Sequence, residues 1–302
     1  RAVGPALLIH AAAAHPLDED LVPLSAALEE AGVAHRIVYW DDAFVDWSHY
    51  RAVIIRSPWD YIDKLPEFLT WAARVSGQTE LLNPLNVITS NTDKHYLDVL
   101  AKQGIHTVPS RFIEPEQHGE DGLRAFLEEF AHAECVVKPA GGAGPKDAQR
   151  YGREDVDAAL MHIKRLQLKN RSVLLQPYLS RVDEAGETAL LYFNGVYSHA
   201  IRKGPLLKRN EGPTEKLFAP EQIMARVPSE DEHVLAAEVV AALPGLFQLT
   251  RPLAYARIDL LRDEDGKPCL LELELTEPSL FFNYADGAAE RFVAALKSRL
   301  SL

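Results

Sequence analysis

Three carboxylates in "YARIDLLRDEDGKPCLLELEL", residues 255–275, pose the first chemical question. Cys269, Leu271, Leu273 and Leu275 alternate with Glu272, Glu274 and Thr276, so a strand there has one apolar and one acidic face. Asp265-Gly266 is a tight-turn signal, and the two alternating runs around it read as a hairpin. With Asp265 and Gly266 as the loop, Glu264 pairs with Lys267. Counting outward sets Leu261 against Leu270, Asp259 against Glu272 and Arg257 against Glu274. Opposed side chains lie roughly 5 Å apart at Cβ. The hairpin therefore gathers Asp259, Glu272 and Glu274, with Arg257 as the only fixed cation. A solvated edge-strand face is the bland explanation. Like charges this close destabilise a sheet unless something neutralises them. Hard oxygen ligands on a rigid hairpin suit Mg²⁺ or Mn²⁺, and Mg²⁺ usually takes phosphate oxygens and water as well. The patch is read as a metal site, which raises the question of a phosphate site elsewhere.

"ECVVKPAGGAGPKDAQR", residues 134–150, offers one. It fits neither the P-loop nor the dinucleotide fingerprint. Gly141, Gly142 and Gly144 can nevertheless bend backbone N–H groups around phosphate. Lys138 lies inside the apolar strand, where lysine is rarely buried unless paired. Lys94, in "TDKHYL", reads as first-turn helical, the unfavourable end for a cation. A mobile connector and two ordinary lysines are the alternative. Taken with the acidic hairpin, they resemble a nucleotide site.

The elements that must position these groups follow from pattern and length. The chain has 302 residues, 47% hydrophobic and 25% charged, which suggests two or more ordinary globular domains. A net charge of −12 disfavours nucleic acid or an anionic membrane as the main partner. Cys135 and Cys269 sit in apolar runs and read as reduced core residues. "RAVGPALLIHAAAAHP" superficially resembles a signal peptide but fits a first core strand as well, and no apolar run reaches the roughly 18 residues of a membrane span. A cytoplasmic protein is expected. "PALLIH", "HRIVYW" and "RAVIIRS" alternate with helical patterns, so residues 1–90 read as an open parallel α/β domain. Ser90 and Asp93 read as a capping box opening the next unit, 91–175, with buried strands around "EDVDAALMHIKRL". Residues 176–302 hold a hairpin turning at Asn194-Gly195, the carboxylate hairpin and a last helix. Residues 204–232, rich in Gly, Pro and charge, read as a long loop over a site. The eleven histidines show no ligand spacing.

The order Lys94, Lys138-Pro139, glycine loop, "LLQPYL", Glu187, Arg202, Asp259 and "ELEL" resembles the ATP-grasp superfamily, an α/β fold in which two α+β subdomains clamp ATP. "VIIRSPWDYIDKLPEFLTW", "NPLNVITSNTDKHYL" and "ELTEPSLFF" look like the branch containing D-cycloserine synthetase, the O-ureido-D-serine cyclo-ligase. The resemblance covers most of the chain. Two departures stand out. Glu274 replaces the usual Asn of the metal signature, and Gly142 with Lys146-Asp147-Ala148 stand where the branch usually has Ser and Arg-Asp-Thr, losing side-chain hydroxyls.

The resemblance implies that Lys94, Lys138 and the glycine loop hold ATP phosphates. Gln176, Tyr178 and Leu179 would form the adenine hinge, and Glu187 would accept ribose hydroxyls, with Asp183 as local alternative. Mg²⁺ would sit on Asp259, Glu272 and Glu274, and Arg202, Lys203 and Arg257 would stabilise the transferring phosphoryl group. Arg56, at the carboxyl end of a buried strand, suits a substrate carboxylate. Ser57, Trp59, Asp60 and Tyr61, with Glu277 and Ser279, would line the same crevice, Asp60 meeting an amino group. The expected enzyme is an ATP-dependent ligase that makes an acyl phosphate of a small amino-acid-like substrate, for capture by nitrogen. A non-catalytic nucleotide binder and a kinase stopping at the phosphorylated product are the rivals. The oligomeric state stays open, a homodimer included.

Overall fold

A computed structural model describes residues 6–10, 17–142, 146–208 and 222–302. Its first sheet joins β1 (Ala6–His10), β2 (His35–Tyr39), β3 (Ala52–Ser57) and β4 (Glu80–Leu82) in the order β2-β1-β3-β4, all parallel. Every residue of β3 is buried, as a continuous apolar run in a covered sheet should be. Helix α1 (Leu21–Glu30) and α2 (Leu65–Ser76) follow; α2 buries Phe68, Trp71, Ala72 and Val75 at helical spacing. This is the open parallel layer expected from the alternating pattern.

Helices α3 (Leu85–Asn91) and α4 (Tyr96–Lys102) come next. The expected capping box does not form: Ser90 lies in the last turn of α3, and residues 92–95 are a turn. Tertiary pairing overrides the local signal. Asp93 bridges Gly141, and the Lys94 N–H donates to the Ala140 carbonyl at 2.9 Å. A second, antiparallel sheet runs β5-β8-β6-β7 from β5 (Arg111–Ile113), β6 (Cys135–Pro139), β7 (Gln149–Tyr151) and β8 (Val173–Pro177). Helices α5 (Gly119–Glu129) and α6 (Val156–Leu168) share its core through Phe126, Ile163 and Leu166. Cys135 and Cys269 are buried and reduced, and burial pushes both thiols up to about 12.

After the short α7 (Val182–Ala185), a third antiparallel sheet is ordered β11-β10-β9-β12-β13. Its strands are β9 (Glu187–Phe193), β10 (Val196–Lys203), β11 (Ile223–Arg226), β12 (Tyr255–Arg262) and β13 (Pro268–Glu274). The β9–β10 hairpin turns at Asn194 and Gly195 with φ of 47° and 77°, the left-handed pair such a turn requires. The expected long loop over 204–232 is corrected at its far end. Ile223–Arg226 pairs with β10, and α8 (Glu230–Phe247) begins there with a capping box between Ser229 and Glu232. Residues 209–221 of that stretch lie outside the described residues.

The carboxylate hairpin reaches the expected pairing by a different route. Asp263 and Lys267 close a three-residue loop ending at Gly266, whose φ is +80°, so the turn is one residue longer than Asp265-Gly266. That shift sets Leu260 against Leu270 and Leu261 against Cys269, not Leu261 against Leu270. Leu271 is then the extra residue of a bulge, which restores Asp259 opposite Glu272 and Arg257 opposite Glu274.

The cores do not follow chain order. Phe292 and Leu296 of α9 (Ala288–Leu300) pack with Leu24 and Leu28 of α1, and α4 packs under the third sheet through Leu97 and Leu100. Asn83 ties the first sheet to the third. Its amide donates to the Tyr255 and Leu275 carbonyls, both at 2.8 Å, and accepts from the Ala254 N–H at 2.9 Å. Asn83→Ala would orphan three buried backbone groups. It is expected to cost about 2 kcal/mol, read as a lower urea midpoint at unchanged slope.

Candidate active site

The second and third sheets face each other across a cleft of about 180 Å³, lined from β6 and β8 on one side and from β10, β12 and β13 on the other. Asp259, 1% exposed, is gripped at both oxygens by Arg257, Nε to Oδ1 and Nη2 to Oδ2 at 2.8 Å each, with Lys203 Nζ at 3.0 Å. Burial alone would raise its carboxyl, but the Arg257 and Lys203 charges outweigh burial and hold it below the usual range. Lys94 Nζ stands 2.9 Å from Glu272, Arg257 Nη2 stands 3.3 Å from Glu274, and Lys203 Nζ stands 2.5 Å from Glu187. Burial, with Glu272, Glu277 and Asp259 nearby, pushes Glu274 up to about 8 against the pull of Arg257. Burial, with Asp259, takes Glu187 to about 7 against Lys203.

The donor set suits a hard divalent cation. It is oxygen only, and Glu274 is raised mainly by burial, with the neighbouring carboxylates adding to the rise. Among the described residues no group of three His, Cys, Asp or Glu side chains is already placed to hold a metal ion, so the expected set of Asp259, Glu272 and Glu274 is not assembled in this structure.

On the phosphate side, Lys94 is corrected from the first turn of a helix to the turn ahead of α4. Its ammonium donates to the Gly142 carbonyl at 2.8 Å, and the Gly142 N–H donates to Thr92 at 3.2 Å. Gly142 has φ of +118°, a conformation that favours glycine and that a side chain would strain. The described part of the loop is thus pinned to the 92–94 turn, while Gly144 lies outside the described residues. Lys138 projects from β6 into the cleft and has no ion pair among the described residues. Burial pushes its ammonium down, partly offset by Glu272. Lys146 and Arg171 line the same corner and were missed in the sequence. Lys146 pairs with Asp63 at 2.8 Å, and Arg171 donates to the Gly141 carbonyl at 2.8 Å. Lys146 was readable from "PKDAQR"; Arg171 carries no sequence signal.

Gln176, Tyr178 and Leu179 all line the cleft. Gln176 donates to Ser110 Oγ at 2.9 Å. The Tyr178 N–H is committed to the Glu134 carbonyl at 2.8 Å, so the expected hinge has one backbone donor fewer. The Tyr178 ring lies 3.6 Å below the Arg150 guanidinium, a stack that sequence reasoning missed. Asp183 is engaged by the Tyr178 hydroxyl at 2.6 Å.

Strand alternation separates Arg202 from Lys203. Lys203 lines the cleft, whereas Arg202 turns to the other side and donates to the Ala185 and Glu184 carbonyls at 3.2 and 3.0 Å. The structure therefore does not bring Arg202 to the expected phosphoryl site.

The first sheet and the turn after β3 pack against residues 277–278 beside the cleft. Arg56, 1% exposed, donates to the Pro278 carbonyl and lies over the Tyr255 ring, 5.2 Å from its centroid. Trp59 Nε1 donates to the Glu277 carbonyl at 3.1 Å, and the Tyr61 hydroxyl donates to Glu277 Oε1 at 2.8 Å. The Ser279 carbonyl accepts from Arg257 at 3.2 Å. Ser57 is fully buried and its Oγ has no partner among the described residues. Asp60 is engaged elsewhere than expected, accepting from Trp40 Nε1 at 2.9 Å and Lys64 at 3.2 Å.

Comparison with known proteins agrees with this geometry. Residues 6–83 match the family model of the D-cycloserine synthetase N-terminal domain. The chain is 39% identical over 296 residues to the cycloserine biosynthesis protein DcsG of Streptomyces lavendulae, covering 97% of this chain and 98% of that one. It is similar to the crystal structure of D-cycloserine synthetase DcsG with a TM-score of 0.91 and 39% identity, over 98% of this chain and 100% of that chain. D-alanine–D-alanine ligase of Bacillus anthracis shares the fold alone, at a TM-score of 0.68 and 15% identity over 99% and 98% of the two chains. Among the described residues no helix is long and apolar enough to cross a membrane. Full-length identity of this order, on a cleft built in this way, means that the chain belongs to the D-cycloserine synthetase family and is an ATP-dependent ligase of the ATP-grasp fold.

Proposed function

We propose that this ligase activates the carboxylate of O-ureido-D-serine as an acyl phosphate and that a nitrogen of the same molecule then displaces phosphate, closing the five-membered ring of D-cycloserine. The observation that carries this reading is the direct junction of the two walls. Trp59 and Tyr61 of the family-matched domain hydrogen-bond to Glu277, only three residues beyond Glu274. A substrate held there has its own carboxylate beside the phosphate corner, and a tethered nucleophile needs no second amine pocket.

In this reading residues 1–90 carry the substrate wall, 91–175 the phosphate loop, and 176–302 the hinge and the acidic strands. Lys94 and Lys138 face the ATP phosphates, and Lys138 has no ion pair among the described residues, although Glu272 acts on it. Gln176, Leu179 and Glu187 receive the nucleoside. Asp259, Glu272 and Glu274 would hold Mg²⁺, which supplies charge neutralisation for the phosphates. Arg257 and Lys203 hold the Asp259 carboxylate in place and present positive charge to the transferring group, a role of positioning and electrostatics. Arg56, expected to meet the substrate carboxylate, is buried behind this wall and holds the Ile55 and Pro278 carbonyls instead.

The test is incubation with ATP, Mg²⁺ and O-ureido-D-serine and no added amine. ADP release with a cyclised product by mass spectrometry is expected. Phosphate release only when a second amino acid is added, with a dipeptide-like adduct, would make the enzyme an intermolecular carboxylate–amine ligase instead.

A further inference from the structure

Four buried carboxylates line the reaction cleft, Glu187, Asp259, Glu272 and Glu274, and a fifth, Glu277, is buried three residues beyond Glu274. Each of the four lining carboxylates has a lysine or arginine nitrogen within 3.3 Å. Glu277 has no ion pair among the described residues, although it is only 4% exposed. Its side chain is oriented by a neutral group, the Tyr61 hydroxyl, which donates to Oε1 at 2.8 Å. Its main chain is fixed by Trp59 Nε1 at 3.1 Å, and the neighbouring Pro278 carbonyl accepts from Arg56.

A carboxylate tied to an ammonium or guanidinium is a poor base, because the cation favours its charged form. Glu277 feels Lys94 and Arg257 only at a distance, with no direct ion pair among the described residues. Burial takes it to about 7, with Glu272 adding to the rise and the Tyr61 bond and Lys94 opposing it. Other bases nearby are engaged or unsuitable. The imidazole of His199 is bonded to Ser198 and to the Leu280 carbonyl, and burial with the Glu277 charge drives the Tyr61 phenol far above its ordinary range.

We propose that Glu277 is the catalytic base of the second step, accepting the proton from the substrate nitrogen as it attacks the acyl phosphate. This rests on the ligase reading above. The nitrogen lone pair forms the C–N bond. The bond from the acyl carbon to the phosphate oxygen breaks, its electrons leaving on inorganic phosphate. The N–H proton passes to a Glu277 carboxylate oxygen. Removal of the ureido carbonyl is a separate hydrolysis, outside this step. Tyr61 is a positioning residue that acts through Glu277.

A single-turnover reaction with O-ureido-D-serine, Mg²⁺ and ATP, run with and without hydroxylamine, separates the two steps. Hydroxamate reports the acyl phosphate, and mass spectrometry reports ring closure. For Glu277→Gln, hydroxamate is expected to stay at or above the wild-type yield while closure slows about 100-fold, the usual worth of a positioned base. Glu277→Asp keeps a carboxylate but draws it back, and is expected to slow closure alone; it carries the test if the glutamine variant does not fold. Tyr61→Phe is expected to slow closure less than Glu277→Gln, again with normal hydroxamate. Wild-type closure rates in Glu277→Gln, with normal hydroxamate, would overturn this proposal while leaving the ligase reading standing. A parallel fall of hydroxamate and closure would overturn it too, because Glu277 would then act in binding, for instance as the anchor of a substrate ammonium. Wild-type enzyme that gives neither hydroxamate nor cyclised product would overturn the ligase reading, and this proposal with it.

Discussion

Glu272→Gln is expected to lower turnover by about 100-fold or more while leaving the melting temperature close to that of the wild type. The substitution preserves shape and a hydrogen-bond acceptor for Lys94, which stands 2.9 Å from the native carboxylate. What it removes is charge. Glu272 is held below the usual carboxylate range because the Lys94 and Lys138 ammonium groups outweigh its burial, so it is ionised at neutral pH. With Glu272 neutralised, Glu274 and Glu277 still act on Lys94. Stability therefore changes little, whereas a cation bound with ATP loses a charged ligand. Turnover measured against Mg²⁺ concentration should show a higher requirement for the ion. Wild-type turnover at limiting Mg²⁺ would remove Glu272 from the metal set.

The features legible in the sequence were those that depend on period and on short turns. The alternation along β13 put Glu272 and Glu274 on one face, and the acidic patch is where that alternation implies. The turn residues could not reveal that the loop is one residue longer, nor that a bulge at Leu271 cancels the shift. A bulge is set by how a strand meets its neighbours, and it leaves no composition signal. Lys94 shows the same limit from the other side. Ser90 and Asp93 fit a capping box locally, yet the backbone bridge from Asp93 to Gly141 holds the chain in a turn instead. The true capping box, Ser229 with Glu232, lay in a stretch that its Pro, Gly and charge content disguised as loop. Within β10 the period-two rule would have separated Arg202 from Lys203 had the strand been followed to its end. Asp60 was beyond reach, since Trp40 and Lys64, the groups that engage it, meet it only in the folded domain.

Arg257→Met is expected to be the most damaging of these changes, costing about 3–5 kcal/mol of stability as well as most of the activity. Arg257 is 6% exposed and holds both oxygens of Asp259, approaches Glu274 at 3.3 Å and donates to the Ser279 carbonyl at 3.2 Å. One side chain thus ties the β12–β13 pair to the 276–280 segment that carries Glu277. Methionine fills much of the same volume, so packing loss is small and the deficit is electrostatic. Asp259, 1% exposed, would keep only Lys203 at 3.0 Å, and Lys203 is shared with Glu187. A buried charge stripped of its main partner costs more than the pair contributes when intact. Adding Asp259→Asn should therefore recover a large part of the lost stability, because the uncompensated charge is gone, while activity stays low. Denaturant unfolding of the two single variants and the double variant closes the cycle and yields the coupling directly. Additive losses, with no recovery in the double variant, would mean that Arg257 stabilises the site through the Ser279 segment rather than through Asp259.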